Sequence, residues 1–334
     1  MLTPLVAIVA IGFQATISSD FPKAEEPGVE IKVLVLNFDP MIKSVGKTLR
    51  EHKAYNDPKT LSDQYIADVD QCSGGFIKYK IAEWRDIDAF PVKSDGFSYT
   101  EESYLKALEK ETPAHEPDAL DYPKVLEQYG VVSAVDEGKV DEVWLFGGPN
   151  FGYFESCMAG PGSFPINGGV FDSVKSKRPF AIMGFNYERG VAEMLHNLCH
   201  RTEATMTRVY GGWNVAVPDT PWAKFAAAVK QTGGFGGVGN CHWPPNAEKD
   251  YDYDNRRIVW TNADLYLKYP NLKGRAKPVS RDNWGGPDYH RNYMKWWFAR
   301  LPKAPKAGRD GRVHNWWKYV FEFTKYDASG KPIR

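Results

Sequence analysis

The alternation of hydrophobic and polar positions divides the first two thirds of the chain into strand-like and helix-like stretches. Residues 31–38 form a β-branched, apolar run that breaks at Asp39-Pro40. This predicts a strand buried on both faces and ending in a turn. Residues 62–69 carry helical periodicity, 76–84 alternate as a strand does, and 104–109 are again helical. Residues 125–135 predict one further helix, with Gly130 as its weak point, leading into a strand over 142–146 that stops at Gly147-Gly148-Pro149. A strand over 180–185 runs into a helical stretch with no breaker from Val191 to Met206. Strands alternating with helices predict an α/β or α+β domain over 28–215, a mixed sheet with flanking helices.

Beyond about residue 215 the texture changes. One amphipathic helix, 221–230, gives way to Gly- and Pro-rich turns with a dense set of Trp and Tyr. Residues 216–334 are expected to form an aromatic, loop-rich lobe packed on the core domain. Trp260, Trp284, Trp296, Trp297, Trp316 and Trp317 crowd this part. Aromatic faces stack on sugar rings, yet the adjacent pairs cannot place both rings on one face, so most are expected in the core.

The N-terminal run 2–13 is apolar and followed by small and polar residues, the pattern of an export signal over 1–19 with the mature chain starting near Ser19. It predicts a secreted or periplasmic protein; a buried N-terminal strand is the alternative. The run is shorter than the roughly 20 apolar residues a bilayer span needs, and no later run approaches that length, so no membrane span is expected. Lys plus Arg equals Asp plus Glu at 42 each, which leaves no basic surplus to attract phosphate backbones. Nucleic acid is therefore not expected as a partner. Cys72, Cys157, Cys199 and Cys241 show no C-x-x-C spacing, so either disulfides in an exported chain or buried free thiols are expected.

The most chemically loaded stretch is 193–203. At about 100° per residue, Val191, Met194, Leu195, Leu198 and Thr202 share one side of the helix, while Glu193, His196, His200 and Glu203 share an arc of about 80° on another. Histidines at i and i+4 aim both imidazoles at one point, the spacing a helix uses to bind zinc. Glu193 or Glu203 would complete or orient the set. Surface Glu–His pairs of about 0.2–0.5 kcal/mol give the same spacing without a site.

The segment His196-Asn197-Leu198-Cys199-His200 resembles the H-E-x-x-H active helix of zincin metallopeptidases. The resemblance implies a zincin-like sheet and a zinc ion on His196 and His200. It departs at Asn197, which stands where that family has its catalytic Glu and cannot remove a proton from bound water. From the Val33 strand through Trp317 the chain also resembles a family of exported bacterial proteins, a likeness that brings no activity with it.

Three further segments are candidates. The Gly-rich loop 147–162 follows a strand, with Asn150 as a substrate-binding candidate and Glu155 as its only acid; Ser156 and Cys157 lack the G-x-S-x-G elbow. Residues 234–239 spell G-x-G-x-x-G but open no helix, so a dinucleotide site is not expected. His242, Asn246, Asp252 and Asp254 are substrate-binding candidates; if residues 250–254 are extended, the alternating Asp and Tyr put three carboxylates on one side as a calcium or sugar-binding edge. A solvated turn with packed tyrosines is the alternative.

These features predict an exported hydrolase acting on peptide or glycan. A divalent metal, zinc at His196 and His200, is the expected cofactor, with calcium near Asp250–Asp254 as a lesser expectation. Glu193, Glu155 and Glu203 are the catalytic candidates; without metal they would supply a carboxylate pair for glycoside hydrolysis. The rival is a non-catalytic exported protein that binds glycan or a partner on a degenerate zincin-like scaffold.

Overall fold

The computed structural model describes residues 21–333, and the expected export segment 1–19 lies outside them. The fold is mixed α/β. Its main sheet has six strands: β1 (Val29–Phe38), β2 (Ile77–Ile87), β3 (Glu142–Gly147), β4 (Ser156–Ala159), β5 (Val170–Phe171) and β6 (Phe180–Asn186). Their order is β2-β1-β3-β6-β4-β5. The first four in that order run parallel, β4 turns antiparallel against β6, and β5 pairs parallel with β4. All of β3 and all but the last residue of β6 are buried, as expected where helices cover both faces.

The chain steps from β1 to β2 in one direction and then from β2 to β3 in the other. Right-handed crossovers therefore place the intervening helices on opposite faces. On one face α1 (Pro58–Cys72), capped by Asp57, sends Tyr65 against Trp144 at 5.3 Å between ring centroids. Toward the other face, Tyr129 at the end of the helix Tyr122–Gln128 meets Phe38 edge-on at 5.6 Å. The helix expected over 125–135 is two, because Gly130 takes a left-handed conformation (φ 58°) and separates Tyr122–Gln128 from Val131–Asp136. The helix expected over 221–230 is likewise two short pieces, Pro221–Phe225 and Val229–Thr232, joined by buried alanines.

Two helices position the site. The first, α2 (Val191–Tyr210), follows β6 directly and buries Met194, Leu195, Leu198 and Thr202. The second, α3 (Tyr289–Arg300), packs beside it. One apolar cluster contains residues from Ile31 to Tyr326, so the aromatic C-terminal elements share the core of the sheet. Trp284, Trp296, Trp297, Trp316 and Trp317 are buried in it, and of the six clustered tryptophans only Trp260, at 66% exposure, faces solvent. Core packing is thus what this aromatic set does.

At the back of α2, the buried Arg201 pairs with Glu142 of β3 at 2.6 Å. Its second nitrogen donates to the Val320 carbonyl at 2.9 Å, while Glu142 accepts from Tyr79 Oη and Trp144 Nε1, both at 2.9 Å. This pair ties the site helix to the sheet and to the C-terminal segment. Among the described residues no helix is long and apolar enough to cross a membrane.

Candidate metal centre

The helix α2 starts at Gly190, whose N–H donates to the Glu193 carboxylate at 3.1 Å and so fixes the first turn. Asn197, which replaces the zincin glutamate in the resemblance, points back to the sheet and donates from Nδ2 to the Gly184 carbonyl at 2.8 Å. A Cβ at Gly184 would come within 2.3 Å of the Phe154 carbonyl oxygen, so this position keeps the 154–155 backbone close to β6. His196 and His200 stand one turn apart on the side of α2 that faces the loop carrying residues 241 and 242.

That loop carries Cys241 and His242. Its Cys241 N–H donates to Glu203 Oε1 at 2.7 Å, and α3 clamps its base through Tyr293 Oη to the Asn240 carbonyl (2.9 Å) and Trp297 Nε1 to the Gly239 carbonyl (2.9 Å). Gly239 has φ 88°, and a Cβ there would lie 2.4 Å from the Trp243 carbonyl, so the turn that presents Cys241 and His242 requires glycine.

The result is a converging set of donors. Ligand atoms of His196, His200, Cys241 and His242 all lie within 4.8 Å of one another, a group that could hold one metal ion. Nε2 of His200 and Nε2 of His242 face each other at 3.1 Å. A tetrahedral zinc with Zn–N of 2.0–2.1 Å puts its nitrogens about 3.4 Å apart, close to this spacing. The other nitrogens of the two rings go to carboxylates: His200 Nδ1 to Glu203 Oε2 at 3.1 Å, and His242 Nδ1 to Asp250 at 3.2 Å. Such carboxylate–imidazole pairs fix the tautomer and aim of metal-binding histidines. His290, near the start of α3, extends the cluster: its Nε2 lies 3.2 Å from His196 Nδ1, its Nδ1 lies 3.8 Å from Glu193, and its ring stacks on Tyr253 at 4.3 Å. Four of the chain's seven histidines meet here.

Electrostatics separates the two helix histidines. Burial, followed by the neighbouring His200, His290 and His242, lowers His196 to about 2, so it is neutral and free of a competing proton. Burial also pulls on His200, but the hydrogen bond and charge of Glu203, with Glu155 behind it, outweigh burial and raise its pKa. Burial lowers His290, opposed by Glu193 and Asp288. The Cys241 thiol is pushed well above its ordinary range by burial and by the adjacent Cys199. All four cysteines are buried free thiols.

The remaining expected site residues divide clearly. Glu155, 41% exposed, reaches to 3.8 Å of His200 Nε2 and is held by Asn167 Nδ2 at 2.5 Å. Together with Glu193, Asn150, Asn186, Arg189 and Asn197 it lines a cavity of about 220 Å³ at the C-terminal ends of β3 and β6. Glu203, expected as a catalytic group, has both oxygens engaged inside the protein, one with His200 Nδ1 and one with the Cys241 N–H, and so positions His200 and the Cys241 turn. His242, a substrate-binding candidate from the sequence, belongs to the histidine and cysteine group that could hold a metal ion.

Asn246 is buried and donates to the Asn255 and Arg257 carbonyls, which removes it from substrate. Residues 250–254 are a run of turns with Tyr251 at φ 57°, so the expected edge of three carboxylates is absent. Asp250 faces His242, Asp252 is buried accepting from the Glu248 N–H and Asn255 Nδ2, and Asp254 lies on the exterior, an arrangement that does not support calcium there. Ser156 and Cys157 are buried in β4. Cys241 and His290 were not expected; the signals available were the scarcity of histidine for His290 and the adjacency to His242 for Cys241.

Comparison of the chain with models of protein families, with curated proteins and with solved structures finds no match.

The pairing of His242 with Asp250 has a measurable consequence. Asp250→Asn is expected to weaken zinc binding by about 10–100-fold, the usual effect of removing such a partner, with little change in fold because Asp250 is exposed. A competition titration against a chromogenic chelator reads this directly.

Proposed function

We propose that the protein is a metal-dependent hydrolase whose ion is held by His196, His200 and His242, with Cys241 as the fourth nearby donor. The observation that carries this reading is the repeated pairing in which His200 and His242 turn Nε2 to one point while each gives Nδ1 to a carboxylate. A bound divalent ion of the zinc class would supply a polarised water at that point. Glu155, a partly exposed carboxylate 3.8 Å from His200 Nε2, would take a proton from that water. Glu193 caps α2 and orients His290 at the far side of the cluster. The polar cavity lined by Asn150, Asn186 and Arg189 is the place for the substrate's peptide or glycan backbone.

Export of the chain, read from its N-terminal run, fits a substrate outside the cell. Because His200 holds its proton to higher pH than an ordinary histidine, metal uptake displaces that proton and weakens as the pH falls. The test is hydrolysis of a panel of peptide and oligosaccharide substrates by zinc-loaded, chelator-stripped and reloaded protein. Glu155→Gln is expected to bind zinc as the parent does and to lower kcat by about 10²–10⁴-fold. Loss of zinc together with activity in that variant would make Glu155 a ligand; full activity would remove it from the chemistry.

A further inference from the structure

A second pocket, remote from the histidine cluster in the sequence, opens at the C-terminal ends of β1 and β2, the edge of a parallel sheet where ligands commonly bind. It has a volume of about 390 Å³, and its lining includes four carboxylates (Asp39, Asp57, Asp86 and Asp88), two cations (Arg50 and Lys59), Asn37 and Trp84. Its internal hydrogen bonds leave a one-sided surplus. Asp86 Oδ1 accepts from Asn37 Nδ2 at 2.9 Å and from Trp84 Nε1 at 2.7 Å. Asp88 Oδ1 accepts from the Met41 N–H at 2.6 Å, and Asp57 Oδ2 caps α1 through the Thr60 N–H at 3.1 Å. Each of these three carboxylates keeps a second oxygen free of those bonds.

Asn37 adds a separate observation. The residue is only 5% exposed, and its Oδ1 is buried with no hydrogen-bond partner. An orphaned buried acceptor costs about 1–3 kcal/mol and calls for a donor. Neither cation of the lining supplies it: Arg50 lies 3.6 Å from Asp39 and 3.7 Å from Glu51, and Lys59 lies over the Trp84 ring at 5.6 Å. Four carboxylates against these two cations leave the lining with an acidic surplus.

We infer that this pocket binds a small organic cation, an amine or guanidinium whose several N–H donors reach Asn37 Oδ1 and the free oxygens of Asp86 and Asp88. A metal ion is not the ligand these groups suit, because among the described residues the only set of three or more ligating side chains that converges within 4.8 Å is the histidine and cysteine group. Distributed acceptors suit a distributed set of donors. The Trp84 indole, stacked on Phe146 at 6.1 Å, gives a firm wall beside them.

Agmatine and putrescine, with uncharged 1,4-butanediol and calcium chloride as controls, test this on the full protein by calorimetry and thermal unfolding. Saturable binding of one or both amines is expected at up to millimolar concentration, with a rise in the unfolding midpoint that follows ligand concentration. Butanediol and calcium are expected to give neither. Asp88→Asn, on an exposed side chain, should weaken amine binding at least tenfold and leave the circular dichroism spectrum and zinc binding unchanged. No saturable amine binding, equal binding by butanediol, calcium binding in place of amine, or full affinity in the Asp88→Asn variant would each overturn the assignment. The zinc measurement is separate, so failure here leaves the metal centre untouched.

Discussion

Arg201→Met is expected to destabilise the protein by about 3–5 kcal/mol, because it leaves Glu142 as an uncompensated charge in the core. Few single changes should do more, since a domain is stable by only about 5–15 kcal/mol in all. Both side chains are 2% exposed, and the pair joins α2, β3 and the carbonyl of Val320, so water cannot replace the lost partner. The midpoint of thermal unfolding should fall by about 2 °C for each kcal/mol in a chain of this length. Glu142→Gln added to Arg201→Met should recover at least half of the loss. The glutamine removes the orphaned charge and keeps an oxygen for Tyr79 and Trp144, which both donate to Glu142. A double-mutant cycle by urea unfolding gives the coupling. Additive losses in the double variant would show that the ion pair is not the link between helix and sheet.

Zinc is expected to produce the second large effect. Added to chelator-treated protein at a free concentration a hundred times its Kd, it should raise the unfolding free energy by about 2.7 kcal/mol, and at a thousand times by about 4.1 kcal/mol. The gain follows from the donors being assembled only in the folded chain: His200 and His242 are 42 positions apart in sequence yet 3.1 Å apart at Nε2. His242→Ala should abolish the gain while altering the metal-free midpoint little, because His242 is partly exposed and the turn around it is held by Gly239, Tyr293 and Glu203. A zinc-dependent shift of equal size in His242→Ala would move the ion elsewhere.

The legibility of the sequence followed the range of the interactions. Runs such as 31–38 and 142–146 signal buried strands locally, and the stripe of Glu193, His196, His200 and Glu203 is a property of one helix, so both could be read without the fold. Helix ends set by a single left-handed glycine, as at Gly130, were harder, since the apolar periodicity runs on across them. The second half of the candidate metal centre was not legible as such. His242 drew notice only for its polar neighbourhood, and His290 drew none, because a loop turn brings the first and α3 the second to α2, across 42 and 94 positions. The acidic run 250–254 misled for the opposite reason: its alternation implies an extended edge, but the side chains of Asp252 and Tyr253 are taken into the interior and the backbone turns instead. Glu203 was recognised as part of the set, but its role as a positioning group became visible only with both of its oxygens placed.

The most direct test of the metal centre is elemental analysis of the protein after loading with zinc and removal of free metal by gel filtration. One zinc per chain in the parent protein, and none in His200→Ala and His242→Ala variants that keep the parent's circular dichroism, is the predicted result. Parent protein that retains no zinc, nickel or cobalt after the same loading, or variants that retain as much as the parent, would contradict it.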